Sequence, residues 1–173
     1  MCPPSDLVAF DPIPILEVLS RHGVRFVVIG GYAAVLHASP FLTSDVDITP
    51  EQSQENLERL SRALTALHAR VFTPAEPEGI PFSHTGSAIG ESAVWNLVTD
   101  FGRLDISFLP DGTKGFPDLD RGASRGTIDG VELRVASLAD VIRSKQAANR
   151  PKDQRVLPTL REILAARNAR NRP

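Results

Sequence analysis

Residues 29–49 read IGGYAAVLHASPFLTSDVDIT, and how this stretch is read decides the fold. It follows VRFVVI (24–29), a short β-branched run of the kind that forms a buried strand, and Gly30-Gly31 ends that strand. YAAVLHA (32–38) then predicts a brief helix, with Pro40 closing the loop behind it. In TSDVDIT (43–49), strand side chains repeat every second residue, so Thr43, Asp45, Asp47 and Thr49 share one side and Val46 and Ile48 take the other. Both carboxylates therefore face the same way. Strand, glycines, helix, strand is an α/β or α+β order.

Working outward, IPILEVLSRH (13–22) places Ile15, Leu16 and Leu19 on one helical stripe, and Gly23 follows as a stop. Downstream, Thr49-Pro50-Glu51-Gln52 resembles a capped helix start with proline at the first position. Leu57, Leu60, Leu64, Leu67 and Val71 give that helix its buried stripe. Residues 73–92, rich in Pro, Gly and Ser, read mostly as loop. AVWNLVT (93–99) and GRLDISFL (102–109) predict two strands around a DFG hairpin, with Arg103, Asp105 and Ser107 on one face. TIDGVELRVA (127–136) predicts another hairpin, in which Asp129-Gly130 suits a type I′ turn. The sheet is then mixed.

Ser137 with Asp140 forms a capping box, and the helix it opens carries Leu138, Val141 and Ile142 on its inner stripe. Lys145 falls on the same stripe, so its stem runs along apolar surface toward whatever the helix covers. Pro151 is expected to end this helix. VLPTLREILAA (156–166) supplies a last helix, before an Arg/Asn-rich tail that reads as frayed.

A length of 173 residues suits one domain, with a core over about 13–136 and a helical C-terminal part over about 137–167. A content of 42% hydrophobic and 23% charged residues excludes a disordered chain. The net charge of −2 gives no bulk attraction to nucleic acid, although the basic residues between Arg134 and Arg172 could build a local patch or simply a solvated helix face. The single cysteine, Cys2, agrees with a reducing cytoplasm. No apolar run approaches the roughly 18 residues of a membrane helix, and no secretion signal is expected.

Two carboxylates at i and i+2 with a third on a neighbouring strand can hold one or two Mg²⁺ ions, which take hard oxygen ligands together with substrate phosphates. Such ions serve phosphoryl chemistry by activating a hydroxyl and neutralising a leaving pyrophosphate. A glycine pair opening a helix lets phosphates approach the backbone. Each feature alone has a plainer reading: Gly-Gly as a turn, Asp105 as an exposed strand residue, Lys145 as a snorkelling lysine, Asp153 as a helix cap. His37 and Tyr32 read as packing or capping residues, and Trp95 as core.

The order of VIGGYAAVLHASPFLTSDVDI, GRLDIS and VASLADVIRSKQAANRPKD resembles the nucleotidyltransferase superfamily, and within it the small bacterial group similar to AbiEii and the MenT toxins. The resemblance covers residues from about 13 to 165. It implies a nucleotidyltransferase-like mixed sheet flanked by helices, with helices at the C-terminus. It also implies that Asp45, Asp47 and Asp105 hold Mg²⁺ or Mn²⁺, that Gly30 and Gly31 border the triphosphate of an NTP such as ATP, and that Thr43 and Arg150 lie beside the nucleotide. Lys145 and Asp153 look like the lysine and aspartate of the group's C-terminal motif, implicated in nucleotide binding or catalysis. The implied reaction moves an NMP to a hydroxyl of tRNA or another RNA, as in a toxin with a cognate antitoxin, and the chemistry equally allows a Ser, Thr or Tyr hydroxyl of a protein. The alternative is a non-catalytic, antitoxin-like module that binds a nucleotide or a partner. Two positions depart from the pattern: Gly31 stands where many transferases have serine, and Phe41 where relatives often carry an arginine that Arg103 or Arg150 would replace.

Overall fold

A computed structural model describes residues 9–172, so Cys2 lies outside the described residues. The chain opens with α1 (Pro12–Arg21), capped by the Asp11 carboxylate, which accepts from the Ile13 N–H at 3.2 Å. Next come β1 (Phe26–Ile29), α2 (Gly30–Leu36) and β2 (Asp45–Pro50). The glycine pair thus forms the first turn of α2 instead of a separate turn before it. Pro50 ends β2, and α3 (Gln54–Ala66) is capped by Ser53, whose hydroxyl accepts from the Asn56 N–H. The Thr49-Pro50 start expected from sequence is therefore displaced, because Thr49 and Pro50 are still pairing with Val27 and Phe26.

Val71 leaves the predicted helix for a two-residue strand, β3 (Arg70–Val71). After it come α4 (Gly86–Gly90), β4 (Val94–Thr99), β5 (Gly102–Ser107), α5 (Phe116–Gly122), β6 (Ser124–Ile128) and β7 (Val131–Val135). Asp129 and Gly130 both take positive φ, 47° and 81°, which is the I′ turn. α6 (Leu138–Ala148) stops at Asn149, left-handed at φ 51°, and α7 (Pro151–Arg170) begins at once. Pro151 therefore starts a helix, as a first-turn proline can because its missing N–H has no partner there. The tail expected to fray continues that helix to Arg170.

The seven strands form one mixed sheet in the order β3-β4-β5-β2-β1-β7-β6, with β2 parallel to β5 and β1 parallel to β7. Val46, Ile48, Leu104 and Ile106 are fully buried in the core that also takes Leu16 and Leu19 of α1 and Leu60 and Leu64 of α3. The opposite side of β2 and β5 carries Asp45, Asp47, Arg103 and Asp105, all half-buried. α2 packs on β2 and α6, and α6 packs on α7, which brings the C-terminal helices to the acidic side of the sheet. No helix is long and apolar enough to cross a membrane among the described residues.

Candidate functional site

The parallel register of β2 and β5 sets Asp47 level with Asp105 and Asp45 level with Arg103. Two carboxylates from one strand and one from the next thus converge because both sequences alternate in the same phase. Gly30 sits directly beneath Asp47: its φ is +65°, and a Cβ there would stand 2.3 Å from the Asp47 carboxylate oxygen. A Cβ on Gly31 would stand 2.9 Å from the Thr43 hydroxyl. The glycine pair is thus demanded by close packing against the acidic strand, whatever ligand it also borders. Thr43 donates to the Asp45 carboxylate at 3.0 Å and fixes its orientation.

Burial and the neighbouring Asp45 and Asp105 charges push the Asp47 carboxyl up to about 7, against a smaller opposing pull from Lys152 and Lys145. Burial also raises Asp105, although Arg103 opposes it from 3.1 Å. Arg103 itself is tightly held. It donates to the Leu97 carbonyl at 3.2 Å and stacks its guanidinium 3.6 Å from the centre of the Phe72 ring. Asp153 is fully buried and receives Lys145 at 3.3 Å and Arg150 at 2.7 Å. Its burial pushes the carboxyl up, but the Arg150 hydrogen bond and the Lys145 charge together hold it below the usual range.

Two adjoining cavities open on this side. The larger, about 270 Å³, is lined by Gly30, Asp45, Asp47, Asp105, Lys145 and Arg150. The smaller, about 250 Å³, is lined by Gly31, Thr43 and Phe41 and shares Asp45, Lys145 and Lys152 with the first. Eight of the nine residues singled out from sequence border this double cleft. Asp153 does not, and acts from behind by anchoring Lys145 and Arg150.

Sequence reasoning missed Lys152 and Asn96. Lys152 is exposed in the first turn of α7, a turn that does not exist if Pro151 merely ends the preceding helix. Its nearness to Arg150 and Asp153 was the available signal. Asn96 pairs directly opposite Asp105 across β4 and β5 and lines the larger cavity. His37 is a buried packing residue, as expected: its Nε2–H donates to the Ala136 carbonyl at 2.8 Å while Nδ1 accepts from Arg167 at 2.8 Å. Trp95 is only half-buried, packing on Phe82 at the edge of the core and donating to the Ile89 carbonyl.

No family model matches the chain, and no curated protein matches it in sequence. Solved structures do match. A Thermotoga maritima protein assigned as a nucleotidyltransferase superposes with a TM-score of 0.50 at 24% identity, over 90% of this chain and 91% of that one. The lincosamide antibiotic adenylyltransferase LnuA, bound to lincomycin, gives 0.58 at 14% identity over 88% and 95%. The chain has the nucleotidyltransferase fold. The antibiotic-resistance factor ANT(2'')-Ia agrees, with 0.53 at 16% identity over 92% and 90%. These identities, all below 25%, establish the nucleotidyltransferase fold and do not reach the AbiEii and MenT-like subgroup.

Among the described residues no three acidic, histidine or cysteine side chains form a ready cation cage. The ion pair with Arg103 engages Asp105 on its own strand. What remains is a pair of carboxylates on one strand face, one held by Thr43 and the other crowded enough to resist ionising. That donor set still fits Mg²⁺ or Mn²⁺, which commonly take one or two protein carboxylates and complete their shells with water and phosphate oxygens.

Proposed function

We propose that the protein transfers a nucleoside monophosphate from an NTP to an acceptor hydroxyl and releases pyrophosphate, with Asp45 and Asp47 holding the divalent cation. The observation that carries this reading is the parallel β2–β5 register. It gathers Asp45, Asp47 and Asp105 in a cleft whose other wall carries Lys145 and Lys152. Carboxylates for a cation face cations for a triphosphate. The cation supplies charge neutralisation at the α-phosphate when bound.

The residues of the chain divide the remaining work. Lys145 and Lys152 take triphosphate oxygens, and Asp153 keeps Lys145 in place. Arg150 adds a cation at the rim, Gly30 and Gly31 border the nucleotide, and Thr43 orients Asp45. The acceptor oxygen attacks the α-phosphorus as the bond to pyrophosphate breaks, and Asp105 receives the hydroxyl proton. Adenylyl transfer, the activity in the name of LnuA, makes ATP the first donor to try. The arginine absent at Phe41 is replaced in this reading by Lys152, because Arg103 and Arg150 already serve Asp105 and Asp153. A toxin role with a cognate antitoxin rests on the motif resemblance.

The engagement of Asp105 by Arg103 favours one other reading, a nucleotide-binding module without turnover. Each α-labelled NTP, incubated with Mg²⁺, a cell extract and the protein, separates the two. Transfer of label by the native chain and not by Asp45→Ala supports the enzyme. Metal-dependent NTP binding that persists in the Asp45→Ala/Asp47→Ala protein, with no transfer, supports the module.

A further inference from the structure

Arg103 puts a cation among the acidic strands themselves. It stands in β5, two residues before Asp105 and on the same face, and the parallel register sets it level with Asp45. Three contacts pin its guanidinium. Nη2 donates to the Asp105 carboxylate oxygens at 3.1 and 3.4 Å, Nε donates to the Leu97 carbonyl at 3.2 Å, and the group lies 3.6 Å from the centre of the Phe72 ring. Phe72 is held in turn, because its N–H donates at 2.9 Å to the carbonyl of Asn96, on the strand that pairs with β5. Swinging the guanidinium aside would break a carbonyl hydrogen bond, a cation–π contact and an ion pair together. An arginine also stays charged at every working pH.

The charges of the site can be counted. Asp45, Asp47 and Asp105 carry three negative charges when all are ionised, Arg103 cancels one, and a single divalent cation balances the two that remain. Sites that hold two metal ions set them about 3.5–4 Å apart, and three carboxylates would then face four positive charges before the guanidinium is added. A second ion at Asp105 would stand beside that fixed positive charge in a half-buried place, where like charges repel more strongly than in water. A bound triphosphate does not call for the second ion, since Lys145 and Lys152 line both cavities and meet its oxygens in the reading above. The lack of a three-carboxylate cage among the described residues agrees, because the third carboxylate is engaged by an arginine.

We propose that Arg103 stands in for a second metal ion: the site takes one divalent cation, at Asp45 and Asp47, and the guanidinium supplies the fixed positive charge at Asp105. This rests on the cation assignment of the transfer reading and narrows it, since the spacing of the carboxylates alone allows one ion or two. Arg103 is a positioning residue. It acts through Asp105, holding that carboxylate toward its own strand and out of the cation's coordination shell.

The test counts bound metal instead of product. Mn²⁺ replaces Mg²⁺, and its binding to the full chain is measured by electron paramagnetic resonance with a non-hydrolysable NTP at saturation, beside a titration of that analogue alone. One ion per chain is expected for the native protein. Arg103→Met and Arg103→Gln, both neutral and each checked by circular dichroism, are expected to bind two. Arg103→Met/Asp105→Asn is expected to return to one, because the second ion needs the Asp105 carboxylate. A merely structural Arg103 would lower stability or affinity on removal, and would not raise the count. Two ions on the native chain overturn the proposal whether or not a variant folds, as does a count of one in both neutral variants. Failure of the native chain to retain any Mn²⁺ with the analogue overturns the cation assignment and the transfer reading with it, whereas two ions on the native chain overturn this inference alone.

Discussion

Asp47 and Asp153 are both aspartates withdrawn from water, and their surroundings push the two carboxyls in opposite directions. Asp153 is closed in by Lys145 and Arg150, which hold it ionised below the usual carboxylate range. Asp47 is closed in by burial and by two other carboxylates, which push it up to about 7. Lys145 joins the two, bonded to one and pulling weakly on the other. Burial alone therefore does not say what an acidic residue is for. A carboxylate with its counter-charges built in is a structural anchor, and one with like charges around it stays protonated up to about pH 7 unless a cation from outside favours its ionised form.

The largest expected effect follows from Asp153→Ala, which strips two cations of their partner. Breaking a buried pair costs about 3–5 kcal/mol. The exposure of the Arg150 side chain puts the expected loss at about 3 kcal/mol, read from urea unfolding at pH 7. The sign with pH is fixed by the lowered carboxyl. The stabilisation is present above the unfolded value of about 4 and is lost as pH falls through the lower folded value. The difference between native and variant stability should therefore shrink in acid, and a difference that stays constant down to about pH 2 would mean that Asp153 is not the anchor.

Asp47 predicts the reverse. Its raised carboxyl makes the metal-free protein lose stability as pH rises from about 4 to about 7, by at most about 4 kcal/mol at about 1.4 kcal/mol per pH unit. Asp47→Asn should remove most of that slope and raise stability at pH 8 by about 2 kcal/mol, a common trade at functional sites. An Asp47→Asn protein less stable than the native one at pH 8 would show that Asp47 is itself an anchor.

A somewhat smaller loss, about 1–3 kcal/mol, is expected of Gly30→Ala, whose methyl would meet the Asp47 carboxylate from a left-handed backbone. If the Asp47→Ala background, which removes the clashing carboxylate, does not soften that loss, the strain lies in the backbone alone. The smallest effect, about 1 kcal/mol, is expected far from both aspartates, where Ser53→Ala removes the cap of α3. It should be independent of pH between 5 and 9.

Much of the site was legible before the structure because strand alternation is a local property. The two-residue period alone aligned Asp45 with Asp47 and put Asp105 on the equivalent side of its own strand. That the two strands are parallel neighbours in matching register was not local, and only the order of motifs hinted at it. The misses have the same cause. Proline carries opposite meanings at the end of one helix and the start of the next, and Asn149 in the left-handed region lets the chain do both within three residues. Reading Pro151 as a stop hid the first turn of α7 and Lys152 with it. Thr49-Pro50 resembled a helix start because the pairing that keeps it in β2 lies in β1, more than twenty residues earlier. The strand β3 and helices α4 and α5 are too short to show a period at all.

The most direct measurement is a calorimetric titration of a non-hydrolysable NTP, with and without Mg²⁺, into the native chain and into Asp45→Ala/Asp47→Ala. Binding that requires Mg²⁺ and disappears in the double variant is expected if the crowded carboxylates exist to receive a metal–nucleotide pair. Binding that survives the loss of both aspartates, or that ignores Mg²⁺, would contradict it.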